Sequence, residues 1–583
     1  MPSIVFTILR RLLHHIQHFF GDIVAAFDFG LLPFPSSRFL DDDRVKKCSK
    51  TSSSQSRPTI SLHDLADQVH LLFLSNLTPD RMLLMSRKIQ AQLASALQSS
   101  TACMLPSYTH MLPTGSEQGV YLALDVGGST FRVALVHLRG RGQPIDVLRM
   151  SSCPITSSVS SLEGQLFFDW MASCIQDMLR DVGDDCARNP SEPLPVGLSW
   201  SFPVDQTSVS SGRISPMGKG FRCSNGIVGQ DLSHTIEQSC RKRNICIRID
   251  ALVNDSSATL LSQSYINPQT RMSLILGTGA NVALHLPVDG IAMSKFGSRP
   301  QSWFDRARHV IVNSELSMFG GGGILPITRW DDHLNRTHLR PNFQPLEYLT
   351  AGQYLGEIVR LILVEAVEMA HLLGGEVPHS LRQPYSLSTD IIAFIEADAS
   401  SSLASSAALL QKEHTFVNSP SVDDLLFIQC ICRTVSHRAA AYLAIAIHSI
   451  RCQHNDIEAS TTLSPVTTVK EESSVTVVEH ESEGEGENES ENKNQTSETD
   501  ILSIACEGSV INKYPGFKDR CQTYLDQLMN PDSSVVIESD ESTTTTTTTT
   551  TTTGARICLQ SAHESAILGA AVAVAVAVAV GDS

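Results

Sequence analysis

Two segments of this chain share one design and restrict its fold more than anything else in it. They are LALDVGGSTFRVALVHL at 122–138 and LILGTGANVALHL at 274–286, about 150 residues apart. Each is an apolar run, a short glycine-containing turn, and a second apolar run, which reads as strand–turn–strand. Each turn has two readings. It is an ordinary hairpin connection, or it is a loop whose backbone N–H groups cradle an anion, with glycine allowing close approach. On the second reading Gly127, Gly128, Ser129 and Thr130 face a phosphate and Asp125 holds a magnesium ion through water. The recurrence suggests two halves facing one polyphosphate.

Three further segments carry candidate chemistry. VNDSSATL (253–260) puts Asn254 and Asp255 where an apolar strand ends. A carboxylate there can take a proton from a hydroxyl, but Asp255 or Ser256 would also serve as a helix N-cap. SWSFPVDQTSVSSGRISPMGKGF (199–221) invites a P-loop reading at Lys219. That reading fails: Gly212 is one residue too far from Gly218, and Gly220 stands where Ser or Thr is needed. Glu315, in VNSELSMFGGGG, and Glu347, in FQPLEYLTAGQYLGEIVRL, are acids in apolar surroundings. They are either solvated or held by a partner.

The net charge of -17 argues against a nucleic-acid partner, but most of the excess is local. Residues 471–500 hold eleven acids and one base, leaving the rest near the balance of an ordinary enzyme. Fourteen cysteines without a Cys-x-x-Cys pair are read as reduced thiols with no metal site. Asp28–Gly30 spells the kinase Asp-Phe-Gly without its companion motifs, a coincidence. The first 34 residues are apolar, carry Arg10 and Arg11, and have no acid before Asp22. They lack the roughly 18-residue apolar run of a membrane span. Two readings stand: an amphipathic membrane-surface or targeting helix, or a poorly ordered extension.

Residues 1–60 are read as this N-terminal extension and a Ser-rich linker. Residues 61–120 are read as a helical part of a large lobe, 121–253 as a small lobe, 254–560 as the rest of the large lobe, and 561–583 as a final helix. Two insertions are expected to be disordered: the acidic stretch 455–500 and the Thr-rich stretch 533–553.

In this order the segments resemble the eukaryotic hexokinase family, from about residue 61 to the end. The lead-in MLPSYTHMLPTGSEQGVYLALDVGGSTFRV, SFPVDQTS with GKGF, ALVNDSSATL, ILGTGANVAL, VNSEL, YLGEIVRLIL and EGSVINKYPGF carry the likeness. The resemblance implies an α/β fold with the two-lobed actin-like sugar kinase architecture and a ribonuclease H-like mixed sheet in each lobe. It also implies that the last helix returns to the small lobe, so SAILGAAVAVAVAVAV is expected to be helical despite its strand-like alternation. The implied activity is ATP- and Mg²⁺-dependent phosphorylation of a hexose 6-hydroxyl, with Asp255 as general base assisted by Lys219. Ser201, Asn254, Asn281, Glu315 and Glu347 are implied to hold the sugar. Asp125, Gly127, Gly128, Ser129, Thr130 and Arg132 would form the first phosphate loop and Gly277, Thr278 and Gly279 the second, with Gly508 and Ser509 at the adenosine. The expected partners are a small hexose and ATP, with no nucleic acid, and peripheral membrane contact through residues 1–35. The expected location is cytoplasmic, with association at the mitochondrial surface.

The chain departs from the family pattern at several points. Met217-Gly218 stands where Trp-Thr is usual, and Ser129-Thr130 where Thr-Asn is usual. Glu507 replaces the aspartate of Asp-Gly-Ser, HESAILGAA replaces a glycine-rich loop, and Val282 follows Asn281 where a smaller residue is common. Two functions follow from these changes: an active kinase with a reshaped pocket for glucose or N-acetylglucosamine, or a hexokinase-like regulatory protein that binds sugar or nucleotide with little turnover.

Overall fold

In a computed structural model of the chain, residues 60–140, 143–180, 192–217, 221–416, 419–462, 501–531 and 556–581 are described. Their strands are β1 (Leu105–Pro106), β2 (Gln118–Val126), β3 (Thr130–Arg139), β4 (Asp146–Pro154), β5 (Leu194–Trp200), β6 (Val204–Gln206), β7 (Gly212–Ile214) and β8 (Ile247–Val253), then β9 (Thr270–Leu276), β10 (Ala280–Pro287), β11 (His309–Asn313), β12 (Ile501–Glu507) and β13 (Arg556–Ser561). One sheet has the order β4-β3-β2-β5-β8 and the other β1-β11-β10-β9-β12-β13. β2–β3–β4 and β9–β10–β11 are antiparallel, while β2–β5–β8 and β9–β12–β13 are parallel. Apart from the short added β1, the two sheets are the same ribonuclease H-like arrangement used twice. The two strand–glycine–strand segments are its first hairpins, β2–β3 and β9–β10.

Strand alternation gives the β4-β3-β2-β5-β8 sheet a core on each face. Leu122, Leu124 and Val126 of β2 pack with Phe167, Phe168 and Ile236 from helices Gln165–Arg180 and Leu232–Arg241. Tyr121 and Ala123 face the other way, toward Leu260 and Ala570. That second core is built from helix Asp255–Ile266, which leads from β8 into β9, and helix Ser565–Val580. The last helix lies on β2, β5 and β8, and it approaches closely enough that a Cβ on Gly197 would meet Ala570 O. It is buried from Gly569 to Ala577. A helix covered on all sides has no polar face to display, so alternating Ala and Val satisfies it as well as any amphipathic pattern.

The large lobe is organised by helix Val422–Thr462, against which helices Leu62–Leu74, Pro79–Ser99 and Phe517–Met529 pack. Sequence reasoning starts the acidic insertion at 455; the helix instead runs to Thr462. Its last turns are held because Ile457 sits over Gly290, where a side chain would collide with it. Glu458 also lies 3.3 Å from His309 and 3.8 Å from His454. The remaining residues of both predicted insertions, 463–500 and 533–553, lie outside the described residues, as do residues 1–59.

Arg438, midway along that helix, is fully buried. It grips Asp331 with two bonds of 2.6 and 2.7 Å, and its guanidinium stacks 4.1 Å from the Phe73 ring centre. Removing one partner of a buried pair strands the other's charge. Arg438→Met should therefore lose about 3–5 kcal/mol in denaturant unfolding, and adding Asp331→Leu should restore part of that loss.

Candidate active site

The C-terminal ends of parallel strands are where α/β sheets bind ligands, and three of them converge here. β2 ends at Asp125 and Val126, β5 leads into Ser201, and β8 leads into Asn254 and Asp255. The register pairs Asp125 with Ser199, and Ser199 with Val253. Ser201 donates its N–H to Val126 O at 3.2 Å, fixing it beside the first glycine turn. Asp125 is buried, and Arg132 donates to its Oδ2 at 2.9 Å. Burial pushes the Asp125 carboxyl above the usual carboxylate range; Arg132 opposes the rise and the nearby Asp255 carboxylate adds to it. The two acids therefore share one neighbourhood.

Sequence reasoning weighs Asp255 or Ser256 as the helix cap, but the residue in that place is Asn254, with Asp255 the first residue of the helix. Asn254 Oδ1 accepts from Ser256 N at 3.0 Å and Ser256 Oγ at 2.6 Å. Its amide nitrogen is left with no protein partner among the described residues. Asp255, the first helical residue, accepts from Ser256 N at 2.7 Å.

From there a polar chain runs to the second sheet, at β10 and β11. Asn281 Nδ2 lies 3.5 Å from Ser256 Oγ and donates to Asn313 Oδ1 at 2.8 Å. Asn313 Nδ2 in turn donates to Glu315 Oε1 at 2.8 Å. Glu315 adopts φ 51°, ψ 48°, a left-handed conformation costing about 1–2 kcal/mol outside glycine. Its link to Asn313 fixes where that strained residue points. Sequence reasoning takes Ser256 only as a candidate helix cap and passes over Asn313. The available signal was their position: each is a polar residue within two of a candidate acid at a strand end.

Both glycine turns are hairpins by geometry, with Gly127 N bonded to Thr130 O at 3.1 Å and Gly277 N to Gly279 O at 3.0 Å. The hairpin reading and the anion reading do not exclude each other. A Cβ on Gly127 would meet only Thr130 O, at an ordinary 3.5 Å, so the described fold gives no steric reason for glycine there. The second turn is more crowded. Glu347 Oε2 accepts from Ala280 N at 3.0 Å, and a Cβ on Gly279 would press on that carboxylate. Gly508 lies against Leu276 O and Gly277 N, so the expected adenosine residues Gly508 and Ser509 adjoin the expected phosphate loop. Gly352, absent from the sequence reading, donates to Gly277 O at 2.8 Å. Lys219 and the neighbouring Gly218 lie outside the described residues.

Asp125 is a limited metal anchor, since Arg132 engages one of its oxygens. Among the described residues no group of three His, Cys, Asp or Glu side chains could hold an ion. That donor set suits an ion carried mainly by substrate phosphates and water, as magnesium usually is.

Comparison with known proteins agrees with this geometry. Two family models described as Hexokinase match residues 71–265 and 271–576. Hexokinase-1 of Nicotiana tabacum is 32% identical over 378 residues, covering 64% of this chain and 74% of that protein. Hexokinase-1 of Saccharomyces cerevisiae is 29% identical over 418 residues, covering 71% and 75%. A hexokinase from Schistosoma mansoni complexed with glucose superposes with a TM-score of 0.66 at 23% identity, covering 88% of this chain and 100% of that one. A second hexokinase crystal structure gives 0.64 at 21%, covering 88% and 99%. With the doubled sheet and the converging strand ends, these matches make the chain a member of the hexokinase family.

Proposed function

We propose that the protein transfers the terminal phosphoryl group of ATP to the 6-hydroxyl of an aldohexose, glucose or N-acetylglucosamine. The observation that carries this reading is the continuous run of polar groups from Asp125 and Asp255 through Asn281 to Glu315. We read Asp255 in it as the base and the amides and Glu315 as hydroxyl-binding groups, with the first glycine turn following Asp125 and the second preceding Asn281 in the chain. Asp255 takes the proton from the sugar hydroxyl as the oxygen attacks. Asn254 presents its amide N–H groups to the sugar, because its oxygen is committed to Ser256. Ser201, Asn281, Glu315, Glu347 and Lys219 complete the sugar contacts. A site built to pair hydroxyls rejects analogues that lack one.

The turns at Gly127–Thr130 and Gly277–Gly279, with Gly508 and Ser509, would hold ATP, and Asp125 would meet its Mg²⁺ through water. When bound, the nucleotide with its ion supplies the phosphoryl group and charge neutralisation. Glycine at 218 has no side chain where the family usually carries threonine, and on that sequence difference we include N-acetylglucosamine beside glucose. The protein would act in the cytoplasm, at the mitochondrial surface if residues 1–35 bind membrane. Comparing the location of full-length protein with one starting at Ser61 tests that assignment.

An ATP-coupled assay with glucose, mannose, fructose and N-acetylglucosamine tests the activity. ADP release that depends on both sugar and Asp255 supports it, and binding of sugar and nucleotide without turnover supports a regulatory protein instead. Gly127→Ala separates the two readings of the first turn. Its unfolding temperature should be unchanged and its ATP KM raised about tenfold, the equivalent of one hydrogen bond lost. An unchanged ATP KM would leave that turn a hairpin and nothing more.

A further inference from the structure

Two positions at which the chain departs from the hexokinase pattern touch each other. Glu507 ends β12 just before Gly508 and Ser509, and Ser565 opens the last helix. Glu507 Oε2 accepts from the Ser565 hydroxyl at 2.7 Å and from its backbone N–H at 3.3 Å. Ser565 Oγ also lies 2.8 Å from Thr259 Oγ1. Thr259 stands one helical turn after Asp255, on the same face of the same helix.

Counting protons gives this chain a direction. A hydroxyl has one hydrogen to donate, and an ionised carboxylate can only accept. The Ser565 hydrogen goes to Glu507, so Thr259 is the donor to Ser565. The bonds run Thr259 to Ser565 to Glu507, and both hydroxyls are buried, at 0% and 1% exposure. Burial makes each bond hard to exchange for water. The three residues belong to the strand that delivers Gly508 and Ser509, to the last helix, and to the helix that begins with Asp255.

We propose that Thr259, Ser565 and Glu507 are positioning residues for phosphoryl transfer, holding Asp255 in register with the nucleotide-side residues Gly508 and Ser509. The inference rests on the phosphotransferase reading above. Transfer depends on alignment more than on covalent chemistry, and a displacement of about 1 Å can lower the rate about 100-fold. Glu507 has one methylene more than aspartate and reaches the start of the last helix from the strand end.

The test is steady-state kinetics on the full chain with ATP and the best hexose of the assay panel, with thermal unfolding measured on each variant. Glu507→Ala and Ser565→Ala should each lower kcat about tenfold or more while both KM values stay within about threefold. The double variant should be no worse than the poorer single one, as for residues acting as one unit. Glu507→Gln keeps an acceptor oxygen and should recover most of the rate. Folded single variants with wild-type kcat, or a double variant whose loss is the product of the two, would overturn the proposal. If the alanine variants do not fold, Thr259→Val carries the test. It removes one donor at constant shape, and an unchanged kcat would overturn the proposal equally. A wild-type chain that phosphorylates no hexose refutes the phosphotransferase reading and this inference with it. An active wild type with an equally active Glu507→Ala refutes the inference alone.

Discussion

Asp255→Asn should lower kcat about 100- to 10,000-fold, the usual contribution of a positioned general base, and leave the fold intact. Asparagine keeps a side-chain oxygen able to accept from Ser256 N, the bond Asp255 makes at 2.7 Å. The helix cap belongs to Asn254 and is untouched. Unfolding temperature and hexose binding should therefore stay close to wild type while turnover collapses. That split distinguishes a base from a capping residue, since loss of a cap lowers stability by about 0.5–2 kcal/mol and leaves chemistry alone. Turnover within about threefold of wild type would remove Asp255 from the proton-transfer step. Arg132→Ala is the natural companion. It takes away the cation that opposes the upward push on the Asp125 carboxyl, so Asp125 should become easier to protonate and activity should fall off at a higher pH on the acid side.

The two strand–glycine–strand segments are legible as the first hairpins of two sheets only beside the family resemblance, which alone implied the mixed sheet in each lobe; the parallel strands that complete the two sheets come from elsewhere in the chain. Local pattern could also place the helices at 352–370 and 422–462, because their apolar spacing is helical and long. It could not place the end of the second one. Residues 455–462 carry acidic and hydroxyl residues like the stretch after them, and the contacts that hold them as helix are made with Gly290 and His309, distant in sequence. The site was legible at the strand ends, where Asp125, Asn254, Asp255 and Asn281 all appear in short quoted motifs. It was not legible at Asn313 and Ser256. These residues matter through what they bond to, and a bonding partner 25 or 32 residues away leaves no local trace. The link between Glu507 and Ser565, 58 residues apart, was hidden for the same reason. Each looked like a separate departure from a family pattern until the fold joined them.

The last helix is where local pattern and fold disagree most, and it carries the second large prediction. Alternating Ala and Val favours a strand by period, yet residues 565–580 are helical. What the position demands is small volume on every side. An ideal Cβ on Gly569 would fall 1.8 Å from Ala258 O, in the backbone of the helix that begins with Asp255. No side-chain rotation relieves a clash with a backbone carbonyl. Gly569→Ala must therefore push the two helices apart, although alanine is the better helix former by about 1 kcal/mol. Overpacking of this kind costs about 1–3 kcal/mol or more, and it outweighs the propensity gain. The expected result is a lower unfolding temperature and less soluble protein. The fraction that folds should also have reduced kcat, because the displaced helix carries Asp255 at its start. Gly226→Ala is the control: it too is glycine, at φ +78°, but nothing lies within 4 Å of the added carbon, so only backbone strain of about 1 kcal/mol is incurred. If Gly569→Ala is as stable and as active as Gly226→Ala, the close approach of the two helices is needed for neither stability nor turnover.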